Sequence, residues 1–446
     1  MKNKEMASQN GLSCESAPIF DQISSLPTSK PVIADGKDKG FAFIYLLLAY
    51  GLVYVFSSFP HFNRNIALYT LTYVFGVLAY VFVRRQKPAK ESFFWLGILL
   101  SVGIPYCFWS VMRFVQILAL IVVAAYWTLS VTGVLLKDNK SSEWIVVDLW
   151  NAFIIIPFYN FTYQFRVLKS AIRNSRSGNK VISACLGLCI AIPVLAVVLP
   201  LLSSADNGFR QLLIESRYYF YRHLFANILR FVLSLPISAY MFGLIYGCLQ
   251  RRNTDHFHMD NISKNMQKTH CIADTAINTA IILVCISYGL FIGLQSSYLF
   301  SAFAGIRPEY FTYAQYARQG FFELCVIAVI NVLLILSANT FSKTQNSHNR
   351  ILRWINVTLS ILTLLLIATA MSKMFLYISV YGLTVKRILT SVFMIWLTSV
   401  FLLTIIWQWK RIPIIRFAII VGAILFSILC VLPVQQYITD FNMLLA

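Results

Sequence analysis

Phe114-Val-Gln-Ile-Leu-Ala-Leu-Ile-Val-Val-Ala-Ala-Tyr-Trp-Thr-Leu-Ser-Val-Thr-Gly-Val-Leu-Leu136 is a run of 23 residues without a charge. About 20 residues of α-helix cross the hydrocarbon core of a bilayer, so this run is long enough to span. Hydrocarbon offers no partner to a free N–H or C=O, and a helix satisfies both within one segment. The run lacks the polar alternation of a barrel strand. Ten further runs share its character: Phe41–Ser58, Ile66–Val83, Phe93–Ser110, Val181–Leu202, Ala226–Leu249, Ile272–Gln295, Gly320–Asn339, Ile351–Met371, Ile388–Gln408 and Ile414–Pro433. The chain therefore reads as all-α, a polytopic transmembrane helix bundle of about eleven spans (ten to twelve) with interfacial amphipathic helices.

Composition agrees. Hydrophobic residues make up 58% of the chain and charged residues 12%, against roughly 25% charged in a soluble domain. Mean hydropathy is +0.70. The net charge of +20 invites a nucleic-acid reading, but its placement favours a membrane. Lys and Arg sit in short loops between apolar runs, as in Arg84-Arg85-Gln86-Lys87 and Arg173-Asn174-Ser175-Arg176, where they set topology. The expected partners are the lipid bilayer and another membrane protein. Nucleic acid is excluded, and the sequence leaves the oligomeric state open.

Charge also tests the number of spans. With the N-terminus in the cytoplasm, eleven spans put 26 of the 37 Lys and Arg in inside loops and 11 in outside loops, the bias expected of an inner-membrane protein. Adding Ile145–Arg166 as a twelfth span changes the split to 20 and 17, which erases the bias. That segment also holds Asp148, Asn151, Pro157 and Asn160. It reads as an amphipathic helix in the cytoplasmic interface, with Trp144 and Trp150 at headgroup level. Asp206–His223, rich in Tyr and Arg, reads as a second interfacial helix on the outer side.

Residues 1–40 are polar and lack the apolar core of a signal peptide, so they read as a disordered cytoplasmic tail. Residues 41–136 form a first four-helix segment, and residues 137–446 form the remaining membrane domain. Nine cysteines supply no Cys-x-x-Cys pair, and most lie inside apolar runs, where cysteine behaves as a small hydrophobe. Asp255-His256-Phe257-His258-Met259-Asp260, with His270 and Cys271, has metal-ligand residue types but no standard spacing. No metal and no cofactor is expected.

Two stretches hold candidate binding residues. In the first, Thr312 is a candidate N-cap, and Tyr313, Tyr316, Gly320 and Glu323 fall on one helical stripe, with Arg318 beside them. A carboxylate such as Glu323 at the end of a span is costly unless paired or wetted. It reads either as a packing salt bridge or as a ligand group. In the second, Tyr377 precedes Tyr381-Gly382-Leu383-Thr384 and Lys386-Arg387. Gly382 indicates a turn. The Arg387 guanidinium suits a carboxylate, with Glu323 one partner to consider, or a lipid phosphate; a plain interface anchor is the alternative. The candidate set is Tyr313, Tyr316, Arg318, Glu323, Tyr381, Thr384 and Arg387. Asp274 with Asn278, and Asn227, Asn331 and Asn356, read as polar glue between helices.

The strings Thr312–Leu324 and Tyr381-Gly-Leu-Thr-x-x-Arg387, with Gln295-x-x-Tyr298-Leu-Phe300, Asp148-Leu-Trp-Asn151 and Pro157-Phe158, resemble a bacterial multi-pass membrane family. That family is catalogued only as a domain of unknown function, of the four-one-seven-three or four-one-five-three type. The resemblance runs over roughly residues 145 to 442. It implies a bacterial inner-membrane protein and no particular activity. Members often continue beyond the point where this chain ends, at Ala446.

No P-loop, Gly-x-Ser-x-Gly elbow, His-Glu-x-x-His or dinucleotide fingerprint occurs. The leading reading is a non-enzymatic sensor, regulator or accessory subunit of a cell-envelope system, with its motifs on the outer face. The alternatives are a transporter or lipid-handling permease, and an intramembrane transferase acting on a lipid-linked substrate. The permease reading requires a polar cavity among spans seven to ten.

Overall fold

Apolar runs close their own backbone hydrogen bonds, and here they do so as helices. The computed structural model describes residues 35–57, 62–109, 112–137, 139–173, 226–254, 273–294, 321–341, 350–410 and 412–445, with isolated residues 191, 194, 198, 201–202 and 211. The described helices are α1 (Gly36–Ser57), α2 (Phe62–Val83), α3 (Ser92–Gly103), α4 (Arg113–Thr132), α5 (Ile145–Trp150), α6 (Ile156–Tyr159), α7 (Tyr163–Arg173), α8 (Ala226–Leu249), α9 (Asp274–Leu294), α10 (Phe321–Phe341), α11 (Arg350–Tyr381), α12 (Val385–Trp407), α13 (Ile414–Val431) and α14 (Val434–Leu445). A 3-10 turn, Pro105–Cys107, follows α3, and a π-helical turn, Asn151–Ile155, joins α5 to α6.

Eight helices are long and apolar enough to cross a membrane: α1, α2 from Arg64 onward, α4, α8, α9, α11, α12 and α13. The number becomes nine if the bent pair Ile145–Tyr159 and Tyr163–Ala171 is one span. Among the described residues the structure thus supports a multi-pass membrane protein with about eight candidate spans of the eleven expected. Two of the missing three are shorter apolar helices, Ser92–Cys107 and Val326–Phe341. In the first, Pro105 opens a tighter 3-10 turn; the second is part of α10, which runs for 21 residues from Phe321 to Phe341. The third, Val181–Leu202, lies almost wholly outside the described residues, as do Asp206–His223 and residues 1–34. Gly36 to Gly40, read from sequence as tail, form the first turn of α1.

The helices pack in two groups. In the first, α1 lies along α8 and α2, and α6 and α7 pack on α8. Its interior is aromatic: Phe41 stacks on Tyr80 at 4.1 Å, and Phe242 stacks on Tyr246 at 5.3 Å. Asp38, fully buried, accepts hydrogen bonds from Tyr80 Oη and from Arg84. The acid sits in the first turn of α1 and the base just past the end of α2, where each suits its helix dipole. In the second group, α11 packs on α9, α10 and α12 around Leu359, Ile367, Ala328, Ile335, Leu397 and Phe401. Helix α13 bridges the groups, packing on both α12 and α3. Arg416 pairs with Glu91 at 3.4 Å, and Trp109 Nε1 donates to Cys430 O at 2.9 Å.

The segment Ile145–Arg173 folds into pieces rather than one helix, because its polar side chains turn inward. Asp148, Asn151, Asn160 and Gln164 are all buried. Asp148 accepts the Leu136 N–H just past α4, and Asn160 Nδ2 donates to Arg252 O just past α8. Gln164 donates to Ala42 O and to Ser238 Oγ. Gly243 and Gly247, one turn apart on α8, admit this segment closely. A Cβ at Gly243 would lie 2.8 Å from Pro157 O, and one at Gly247 would lie 2.5 Å from Asn160 Nδ2. Small residues four apart allow such an approach in membrane helices.

Candidate functional site

Of the seven candidate residues, three converge on one turn. Helix α11 ends at Tyr381, and Gly382 follows with φ +74°, a left-handed conformation that glycine adopts without strain. Its N–H donates to Ile378 O at 2.8 Å. Thr384 has extended backbone and caps α12 by accepting the Arg387 N–H at 3.4 Å. The Arg387 guanidinium then reaches back. It donates to Tyr381 O at 2.9 Å and to Gly382 O, placing a cation on the carbonyl end of α11. It also lies over the Tyr377 ring, 3.9 Å from the centroid, and Tyr377 meets Tyr381 edge-on at 5.4 Å.

Asn442 of α14 closes this arrangement. It accepts the Leu383 N–H at 2.7 Å and donates to Leu383 O at 3.1 Å. Val434 and Ile438 anchor α14 against Leu383, Val385, Ile388 and Leu389. Nothing in the sequence near Gly382 signals Asn442, which lies 59 residues from Leu383. The outcome is a braced turn from which Tyr381 projects, 52% exposed.

Glu323, one of the partners considered for Arg387, does not pair with it. Glu323 is exposed at the start of α10, and the ion pairs among the described residues are Arg84 with Asp35 and Asp38, and Arg416 with Glu91. The physical reason is that two backbone carbonyls and a tyrosine face already hold the Arg387 guanidinium. Tyr313, Tyr316 and Arg318 lie outside the described residues, as do 255–272 with their His and Asp. Among the described residues no group of three His, Cys, Asp or Glu could hold a metal ion. Cys107 and Cys430 are free thiols.

Asn331, Asn356 and Asn227, three of the asparagines expected to join helices, do so. Asn331 accepts from Tyr288 Oη at 2.9 Å and donates to Thr363 Oγ1 at 2.8 Å, tying α10 to α9 and α11. Asn356 donates to Asn339 Oδ1 at 3.3 Å, and Asn227 accepts from Tyr50 Oη at 3.4 Å.

A second feature has no counterpart in the sequence reading. A cavity of about 230 Å³ lies between α1, α2, α4 and α8, with Leu99 and Phe153 completing its wall. Four hydroxyl side chains border it, and each has a partner among the protein's own groups. Tyr73 bonds Thr128 at 2.8 Å, Tyr240 donates to Phe153 O at 2.9 Å, Thr70 donates to Ile66 O at 2.9 Å, and Tyr69 reaches Met241 Sδ at 3.7 Å. The surface left facing the cavity is apolar.

A family model described as a domain of unknown function, DUF4153, matches residues 94–445. The chain belongs to that family. The DUF4153 match begins inside α3, further upstream than the resemblance read from the motifs, and takes in α4 as well. It contains the braced turn and α14, whereas α1 and α2, which form one side of the cavity, precede it. Neither the curated proteins nor the solved structures yielded a match.

Proposed function

We propose that this DUF4153 protein is a non-enzymatic sensor, regulator or accessory subunit of a bacterial cell-envelope system, seated in the plasma membrane with its N-terminus in the cytoplasm. The observation that carries the reading is the braced turn. Thr384, Arg387 and Asn442 spend their hydrogen bonds on holding backbone in place, and Tyr381 is the exposed aromatic of the motif. A rigid turn presenting a tyrosine suits recognition, since aromatic anchors on fixed backbone dominate binding surfaces. The interior of α9 to α12 supports the same reading. It is filled by apolar side chains and by asparagine bonds between helices, where a permease for polar solutes needs a wetted path.

The test is capture from native membranes with tagged wild type and Tyr381→Ala. Wild type is expected to retain a partner in fixed stoichiometry. Tyr381→Ala is expected to lose it, with unchanged expression and melting temperature. A partner held equally by both proteins, or none in fixed stoichiometry with wild type, refutes the reading.

A further inference from the structure

We infer that the cavity between α1, α2, α4 and α8 binds one hydrocarbon chain of an anionic membrane lipid, whose headgroup is held at Arg113. The wall decides the class of ligand. A buried water needs two to four polar partners, and Tyr69, Thr70, Tyr73 and Tyr240 have turned their hydroxyls to other groups. Hydrocarbon is the medium that fits such a wall. A cavity of about 150 Å³ takes benzene, so 230 Å³ holds roughly nine carbons by the same proportion. That is too small for a helix, about 10 Å across, and suits one lipid tail.

The mouth opens where a lipid can enter. Phe56 and Ile121 line the cavity and are 45% and 48% exposed, and both belong to helices that qualify as spans. The depth also matches. The wall uses the last turns of α1, the first three turns of α2 and α4 from Ile117 to Ala125. On α8 it uses Ile237 to Leu244, in the second half of that helix, so it runs from the side of the α1–α2 connection past the middle of the bundle. Ile117, Ile121 and Ala124 line it from one face of α4. Arg113, four residues before Ile117, shares that face and is exposed at the start of the helix. The rise from Arg113 to Ala124 is about 16 Å, close to the hydrocarbon depth of one leaflet. A phosphate at Arg113 thus places its chain in the cavity.

The probe is phosphatidylglycerol carrying a diazirine in mid-chain, added to full-length protein in phosphatidylcholine vesicles. After irradiation, adducts are mapped by peptide mass spectrometry. Adducts on Leu52, Tyr69 and Ile117 are expected to saturate and to be competed by unlabelled phosphatidylglycerol. Those on lipid-facing Phe75, 75% exposed, are expected to do neither. Ala124→Phe, which fills the cavity, should cut the cavity adducts at least fivefold and leave Phe75 unchanged. Ala124→Leu serves as the milder filling variant, with gel filtration reporting the fold. Arg113→Gln should lower the preference for phosphatidylglycerol over phosphatidylcholine about fivefold, the effect of one cation near the membrane surface. Adducts shared evenly between cavity and outer face, or indifferent to both filling variants, would mean bulk lipid only and overturn the proposal. Equal labelling by the two lipids in wild type overturns the role of Arg113.

Discussion

At the scale of single residues, the motif turn shows how a sequence signal can be real and still misassign a role. Gly382 was legible as a turn, and Arg387 as a cation seeking an acceptor. The acceptor was not legible, because backbone carbonyls carry no sequence signature and Asn442 comes from the far end of the chain. Gly382 offers a sharp test. Alanine there must adopt φ +74°, which costs roughly 1–2 kcal/mol, and its methyl would strike the Asn442 side chain. Gly382→Ala should therefore lower the apparent melting temperature in detergent. Asn442→Ala should lower it too, by the loss of two hydrogen bonds worth about 1 kcal/mol each. The double variant should lose less than the sum, since the collision vanishes with the Asn442 side chain. Strict additivity would show that the turn and α14 are not coupled.

At the scale of elements, most helices were legible because an uncharged run of span length has few alternatives in hydrocarbon. The segment after α4 was harder, since its polar residues pointed to a surface helix. The structure turns Asp148, Asn151, Asn160 and Gln164 inward, and the partners of Asp148, Asn160 and Gln164 lie on α1, α8 and just past the ends of α4 and α8. Such partners are invisible to periodicity, which reports only that a residue is polar. The glycines of α8 make the contact testable. Alanine favours a helix over glycine by about 1 kcal/mol, so Gly→Ala in an open position should be neutral or stabilising. Gly289 of α9 is such a position, with nothing within 4 Å of an added Cβ. At Gly243 the same change drives a methyl into the Pro157 carbonyl, a backbone atom that cannot rotate away. Gly243→Ala should cost about 1–3 kcal/mol, and scanning fluorimetry of the two variants should move in opposite directions or show loss only at Gly243.

At the scale of the whole molecule, hydrogen bonds gather particular helix ends onto one face. Lys37 Nζ reaches Val83 O at 3.4 Å, and Gln86 donates to Leu249 O at 2.9 Å. Glu91 accepts from Ser141 N–H at 3.1 Å and from Arg416 at 3.4 Å. The start of α1, the end of α2, the start of α3, the end of α8 and the start of α13 therefore share a face, and the loop after α4 joins them. These are the ends that the charge bias assigns to the cytoplasm, and Arg84, Arg85, Lys87 and Lys90 sit among them. Asp148 and Asn160 fasten the two ends of the α5–α6 stretch to residues just past α4 and α8. This arrangement favours a segment that dips into the bundle and returns over one that crosses. The consequence can be read in whole cells with single cysteines in a cysteine-free background and a membrane-impermeant maleimide. Arg64→Cys and Arg113→Cys should label from outside, whereas Lys87→Cys and Lys140→Cys should label only after lysis. Arg173→Cys, at the end of α7, decides the remaining question. Protection like that at position 140 keeps α5 to α7 on one side, while labelling from outside makes the bent pair a ninth span and inverts the sidedness of the connection that follows.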